Sequence, residues 1–261
     1  MTVLDLDFTA GYRPNAPVLR GLRLRIEDGE IVGLAGQSGS GKSTLALSVL
    51  GLLPDGAWRE GRIRLEGEDL LGAGERRLRQ LRGRRIAYVP QSPLAALNPY
   101  LTIGSHFEEA WRAHAGGAWK AEALHALERA ALPGTEEFLK LRPRALSVGM
   151  AQRVLVALAI LHEPAVILAD EPTSALDPIN ASEVLSLFAR LSREIGLAVL
   201  LISHDLPGLA SCCHRLAVLN EGAVVEEGPP VDLLESPSDP YTKRLVAALP
   251  RLAVPEGVAR W

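Results

Sequence analysis

Apolar and polar residues alternate in some stretches of this chain and give way to unbroken apolar runs in others. The two patterns predict two kinds of strand. Thr2 to Phe8 alternates through Val3, Leu4, Leu6 and Phe8, and Val18-Leu19 leads into Leu22, Leu24 and Ile26. Arg62, Arg64 and Glu66 alternate with Ile63 and Leu65. A period of two marks strands with one face buried. Glu30-Ile31-Val32-Gly33-Leu34-Ala35, Ile86-Ala87-Tyr88-Val89, Val166-Ile167-Leu168-Ala169 and Leu197 to Ile202 are instead apolar almost throughout, and predict short buried strands. Asp28-Gly29 predicts a hairpin-type turn ahead of Glu30, and Gly11-Tyr12 a turn after the first strand. Arg215 to Leu219 and Ala223 to Glu226 form a hairpin through Asn220-Glu221-Gly222.

Helices fill the intervals. The sequence predicts them from Thr44 to Leu50, Val154 to Leu161, Ala181 to Ile195 and Tyr241 to Ala248. From Ser92 to Ser147 the alternation vanishes, and stretches such as Lys120 to Ala131 are separated by Gly116-Gly117 and Pro133-Gly134. That region reads as an inserted helical subdomain, spanning 92–150 with the start of the following helix. The whole is an α/β domain over residues 1–250, with Arg251 to Trp261 as a loosely held tail.

Composition narrows the picture little. The chain has 261 residues, 48% of them apolar, enough for a substantial core. A net charge of −3 gives no bulk attraction for nucleic acid. The cysteines, Cys212 and Cys213, are adjacent, a poor spacing for a structural disulfide or a metal site, which points to a reducing compartment. Asp5 and Asp7 interrupt any signal-peptide pattern, and the longest apolar run, Val154 to Leu161, is far below the roughly 20 residues of a membrane span. A cytoplasmic location is expected unless a partner holds the chain at a membrane.

The chemistry is concentrated where apolar strands end. Gly36-Gln37-Ser38-Gly39-Ser40-Gly41-Lys42-Ser43 fits the phosphate-loop pattern G-x-x-x-x-G-K-[ST] between a buried strand and a helix. Its glycines let backbone N–H groups form a nest for phosphate oxygens, and the following helix adds its positive end. Lys42 would reach the β- and γ-phosphates and the Ser43 hydroxyl would ligate Mg²⁺. Asp170-Glu171 closes another buried strand: Asp170 is placed to hold Mg²⁺ through water, and Glu171 to polarise water in line with the γ-phosphate. Ser203-His204-Asp205 ends a third, where open α/β sheets bind ligands, which gives His204 a functional reading. Gln91, after the Ile86 strand, could touch Mg²⁺ or the attacking water and act as a hinge, or be a surface glutamine at a strand end. Tyr12 could stack on an adenine ring or be an ordinary turn tyrosine. Ser147-Val148-Gly149 before a helix makes an anion-binding N-terminus or a plain cap.

Taken in order, these motifs resemble the ATP-binding subunit of ABC transporters, from Tyr12 to about Pro250. The resemblance implies a P-loop NTPase fold of ABC ATPase type, with an N-terminal antiparallel β-subdomain and an inserted α-helical subdomain. It implies ATP held by Tyr12, by Gly36 through Thr44 and, from the partner subunit's side of the interface, by residues equivalent to Ser147 and Gly149. Ser43, Gln91 and Asp170 would hold Mg²⁺, Glu171 would be the general base, His204 would contact the γ-phosphate and Gln91 would sense a permease. Implied partners are a second, related or identical ATPase subunit, two transmembrane permease subunits and an extracytoplasmic solute-binding protein, with no nucleic acid. The chain would then sit peripherally on the cytoplasmic face of the inner membrane.

Pro90-Gln91-Ser92-Pro93, Ala96-Leu97-Asn98-Pro99 and Glu235-Ser236-Pro237-Ser238-Asp239-Pro240-Tyr241-Thr242, with Leu249-Pro250, look like the oligopeptide, dipeptide and nickel importer subgroup, as do Met150 and Gln152-Arg153. The chain lacks the cysteine-rich extension of longer members, so no iron–sulfur cluster is expected, and its length leans toward the nickel type. The signature usually reads Leu-Ser-Gly-Gly, and Val148 replaces its first glycine. A β-branched residue resists conformations that glycine allows, so a weakened signature is expected, relieved by Val148→Gly. The alternative is a soluble non-transport ABC-type ATPase acting on DNA or ribosomes; the single phosphate loop and the lack of a heptad run or zinc module count against it. A GTPase would be expected to carry Asn-Lys-x-Asp, which the chain lacks.

Overall fold

The computed structural model describes residues 1–249; the tail expected at 251–261, and Pro250, lie outside them. Elements are numbered in chain order. In the first sheet β2 (Ala16–Glu27), β1 (Thr2–Arg13), β4 (Trp58–Leu65) and β5 (Glu68–Asp69) lie side by side in that order and run antiparallel. The second sheet has six strands in the order β10 (Ala223–Gly228), β9 (Arg215–Asn220), β3 (Ile31–Ala35), β8 (Ala198–Ser203), β7 (Val166–Asp170) and β6 (Ile86–Val89). It is parallel except for its edge strand β10.

The apolar runs are explained by this stacking. Val32 and Leu34 of β3 face a core shared with the antiparallel sheet and α1 (Lys42–Leu50), whereas Ile31 and Ala35 face the helices on the other side. Strands β7 and β8 divide the same way, with Leu168 and Leu200 on one face and Ile167 and Leu201 on the other. A strand covered on both faces has no position for a polar residue, hence the unbroken runs. Strand β1 is covered on one face only, hence its alternation.

Residues 92–147 contain no strand. They form α3 (Pro93–Ala96), α4 (Ile103–Arg112), α5 (Lys120–Arg129), α6 (Glu136–Leu139) and a tight turn at Pro143–Ala145. Phe107, Leu127 and Phe138 of this region join one continuous apolar cluster with Val154 and Val156 of α7 (Val148–Ile160) and with the sheet. The remaining helices are α2 (Glu75–Leu81), α8 (Pro178–Ile195), α9 (Leu206–Ala210), α10 (Pro230–Glu235) and α11 (Pro240–Ala247).

Several local expectations need correction. Tyr12 is in a strand, not a turn: β1 pairs on to Arg13, and the reversal falls at Asn15, whose φ is +57°. Register shifts after Phe8 break the alternation there, so the pattern stops before the strand does. Asp28-Gly29 is not a hairpin but the corner between the two sheets; Gly29, at φ +66°, donates its N–H to the Gly196 carbonyl (3.1 Å). Helix α8 starts at Pro178, three residues earlier than expected, because Asp177 caps it by accepting the N–H groups of Ile179 and Asn180, both at 3.0 Å. Helix α7 starts at Val148 rather than Val154, capped by Ser147. Short α2, α9 and α10 are too brief for a period to show.

Candidate functional site

Strands β3, β6, β7 and β8 are neighbours or near neighbours and parallel, so their C-terminal ends open on one edge of the sheet. Gly36, Gln91, Glu171 and His204 follow those ends. With Tyr12, Val18, Gln37, Ser38, Gly39, Gly41, Lys42, Ser43, Thr44, Asp170 and Leu245 they line a single cleft of about 750 Å³. A groove of about 820 Å³ beside α2 is larger and rich in arginine. Its Arg77 and Arg85 are paired with Glu68 and Glu66, and it contains none of the motif residues.

The phosphate loop has the geometry its glycines allow. Gly39 and Gly41 have φ of +83° and +107°. Gly36 lies so close to β9 that a Cβ there would stand 2.6 Å from the Leu219 carbonyl. Gly41 is the N-cap of α1 and brings no side chain to cap it, so the first-turn N–H groups, which have no acceptor within their helix, face the cleft for an anion. Lys42, 7% exposed, folds back on the loop: its Nζ donates to the carbonyls of Gly36 (2.7 Å) and Gln37 (3.0 Å). Burial lowers the Lys42 pKa, against the pull of Glu171 and Asp170. The Tyr12 hydroxyl and Thr44 Oγ1 share a hydrogen bond of 3.0 Å, which holds the half-exposed phenol beside the loop.

Asp170 is buried, 5% exposed. Its Oδ2 accepts the Tyr88 hydroxyl (3.2 Å), while Oδ1 has no partner among the described residues. Burial first, then the neighbouring Asp170 charge, pushes the Tyr88 pKa up, so the phenol remains a donor. An unpartnered buried carboxylate oxygen in the same cleft as the Ser43 hydroxyl and Gln91 is a donor set that fits Mg²⁺, a cation that prefers oxygen ligands and keeps several waters.

Glu171 stands at φ +49°, a left-handed conformation for a residue with a side chain. This costs about 1–2 kcal/mol. It is held by its own N–H, which donates to the Ile202 carbonyl (2.8 Å), and by the Ser174 hydroxyl, which donates to its carbonyl (3.0 Å). The twist turns the carboxylate toward β8. There Oε2 accepts His204 Nδ1 (2.8 Å) and the Ser203 hydroxyl (3.2 Å), and Oε1 lies 3.9 Å from Lys42 Nζ. Thus the expected Lys42, Glu171, His204, Asp170, Ser43 and Gln91 are brought together.

Ser147 and Gly149 do not line this cleft. Ser147 is exposed and caps α7, its Oγ accepting the Met150 N–H (3.1 Å). Val148 occupies the first helical position and is not among the described residues with positive φ. The backbone reason for expecting a weakened signature therefore falls away: an ordinary helical residue suits that position. Gly149 is the glycine with a steric task. A Cβ there would stand 2.5 Å from Asn180 Oδ1, and Asn180 is itself tied to Asp177 Oδ2. Hydrogen bonds from the Asn180 N–H and side chain hold the Asp177 carboxyl below its usual range. Gly149→Ala should displace Asn180 and lower the melting temperature by about 2–4 °C, with ATP binding by the separate chain unchanged. An unchanged melting temperature would show that Asn180 swings aside freely.

Sequence reasoning missed Tyr88, Asn180, Tyr241 and Leu245, and read Ser203 without giving it a task. Their roles come from contacts between elements distant in sequence, and of the four missed only Tyr241 lies in a quoted motif, which gave it no task.

The family model described as ABC transporter matches residues 19–174. The "Probable D,D-dipeptide transport ATP-binding protein DdpD" of Escherichia coli K12 is 41% identical over 97% of this chain and 78% of its own length. The dipeptide transport ATP-binding protein DppD of Bacillus subtilis is 37% identical over 95% and 76%. Among solved structures, the ATP-binding cassette MJ0796, a dimer in a post-hydrolysis state bound to ADP and phosphate, superposes with a TM-score of 0.73 at 28% identity, covering 88% of this chain and 99% of that one. Both relatives by sequence are named for peptides, and neither for nickel.

Proposed function

The chain belongs to the ABC transporter family as an ATP-binding subunit, and from that premise we propose that it hydrolyses ATP to power a peptide importer. The observation that carries the proposal is the convergence of Lys42, Asp170, Glu171 and His204 on one cleft at the sheet edge. The first-turn N–H groups of α1 and Lys42 hold the phosphates of ATP, and Tyr12 stacks on the adenine. Ser43, Gln91 and Asp170 would hold Mg²⁺, which would supply positive charge against the phosphates. Glu171 takes the proton of the attacking water, aimed by Ser203 and His204. Lys42 and His204 then face the charge that develops on the transferring phosphate.

Ser147, exposed outside this cleft, and the buried Gly149 beside it serve the ATP of a second, related or identical ATPase subunit packed head to tail. The exposed Leu94 and Tyr100, a few residues beyond Gln91, give the glutamine-loop region an apolar surface for a permease. Among the described residues no helix is long and apolar enough to cross a membrane. In this proposal two permease subunits supply the spans, an extracytoplasmic binding protein delivers the peptide, and the chain sits at the cytoplasmic face of the inner membrane.

The test is affinity capture of the full chain from native membranes in Mg²⁺ and ATP, with the partners identified by mass spectrometry. Two polytopic proteins, a second ATPase and a solute-binding protein are expected, and the binding protein should take a short peptide in preference to Ni²⁺. Soluble nucleic-acid proteins with no membrane subunit would overturn the importer, and a binding protein that takes only Ni²⁺ would overturn the peptide.

A further inference from the structure

The proline-rich segment ending in Tyr241 has no task in the chemistry above. In the structure it is a brace beneath the phosphate loop. Glu226 of edge strand β10 accepts the Ser238 N–H (2.7 Å), the Ser238 hydroxyl (2.7 Å) and the Asp239 N–H (3.1 Å). Burial raises the Glu226 pKa, but these hydrogen bonds outweigh it and hold the carboxyl down to about 2. Asp239 then caps α11, accepting the N–H groups of Tyr241 (2.7 Å) and Thr242 (3.3 Å). Tyr241 is thereby fixed in the first turn of α11, 8% exposed. Its hydroxyl accepts the Gln37 N–H at 3.1 Å. One turn further along α11, Leu245 lines the cleft itself.

Gln37 is held from two sides: its N–H by Tyr241 and its carbonyl by Lys42 Nζ at 3.0 Å. The two restraints differ in kind. The Lys42 amine has three donors, two of them on the loop carbonyls, so its hold on the loop is shared with the phosphates that its third donor can meet. The Tyr241 hydroxyl holds the Gln37 peptide by its N–H, a restraint that does not depend on what the amine engages.

We propose that Tyr241 is a positioning residue for the phosphate loop, and that α11 sets the nucleotide affinity of this chain by bracing Gln37. The proposal rests on the reading of the cleft as an ATP site. The brace touches neither the water nor the γ-phosphate, so it favours the ground state and the transition state alike. Loss of such uniform binding raises KM and leaves kcat.

The test is Tyr241→Phe in the full chain, which keeps the buried ring and removes only the hydroxyl. ATP affinity is measured by calorimetry on the chain, KM and kcat on the assembly captured from membranes, and the melting temperature without nucleotide. Loss of one such hydrogen bond should raise Kd and KM by about 3- to 10-fold, with kcat within about twofold and the melting temperature lowered by no more than about 2–4 °C. Unchanged Kd and KM would overturn the proposal. So would a lowered melting temperature with kcat falling as steeply as kcat/KM, the mark of a merely structural role. A wild-type chain that binds no ATP would remove the site reading and this inference together, whereas a wild type that binds ATP normally beside an unaffected variant would remove the inference alone.

Discussion

Glu171→Gln should lower ATP turnover of the assembled complex by about 10²- to 10³-fold, and ATP should still bind. The amide preserves the size and planarity of the carboxylate. It can still accept from the Ser203 hydroxyl and from His204, which lie 3.2 and 2.8 Å from Oε2. The left-handed backbone is held by the Ile202 carbonyl and the Ser174 hydroxyl, neither of which involves the carboxylate. What the amide lacks is a lone pair basic enough to take a proton from water, so the loss falls on the chemical step. Removing one negative charge beside the terminal phosphate also favours the bound state. ATP should therefore trap the proposed head-to-tail pair of ATPase subunits, seen as a dimer by size exclusion in Mg²⁺ and ATP and absent with ADP. Wild-type turnover in the variant would show that Glu171 is not the base.

The central sheet was legible in the sequence because both faces of β3, β7 and β8 are covered, and a strand so enclosed admits only apolar residues until its end. The same enclosure made the site legible: Asp170-Glu171 and His204 stand where apolar runs stop, and parallel strands stop on one edge. What the sequence left hidden is of two kinds. Where the ladder shifts register, as between Phe8 and Arg13 of β1, the period of two is lost although pairing continues, so Tyr12 read as a turn residue. Where one element meets another far along the chain, no local pattern exists at all. The Tyr241 hydroxyl against the Gln37 N–H and the approach of Asn180 to Gly149 are of this kind. The backbone argument about Val148 fails for a related reason. Departure from a family pattern identifies an altered position, but the backbone shows whether a conformation reserved for glycine occurs there, and at the first position of α7 it does not.

Lys42→Ala should weaken ATP binding by about 10- to 100-fold and lower kcat/KM by about 10³-fold or more. The first figure follows from charge-assisted hydrogen bonds to phosphate, at about 1.5–3 kcal/mol each. The second adds the charge that Lys42 would stabilise as the phosphoryl group transfers. The structure sharpens the expectation beyond a missing contact. Lys42 is the cation 3.9 Å from Glu171, and Asp170 beside it is buried with an unpartnered oxygen. Without the amine the cleft presents two adjacent carboxylates to a polyphosphate, so the site repels what it formerly attracted. The loop also loses the clasp from Nζ to the Gly36 and Gln37 carbonyls, leaving Tyr241 as its tether at Gln37. Lys42→Arg should not restore activity, because a planar guanidinium cannot occupy the place of a compact amine folded into the turn of its own loop. Calorimetric titration with ATP, alongside a melting curve that shows the variants folded, measures the effect. A folded Lys42→Ala chain that binds ATP within about threefold of wild type, less than one charge-assisted hydrogen bond supplies, would remove Lys42 from the site and the electrostatic account of the cleft with it.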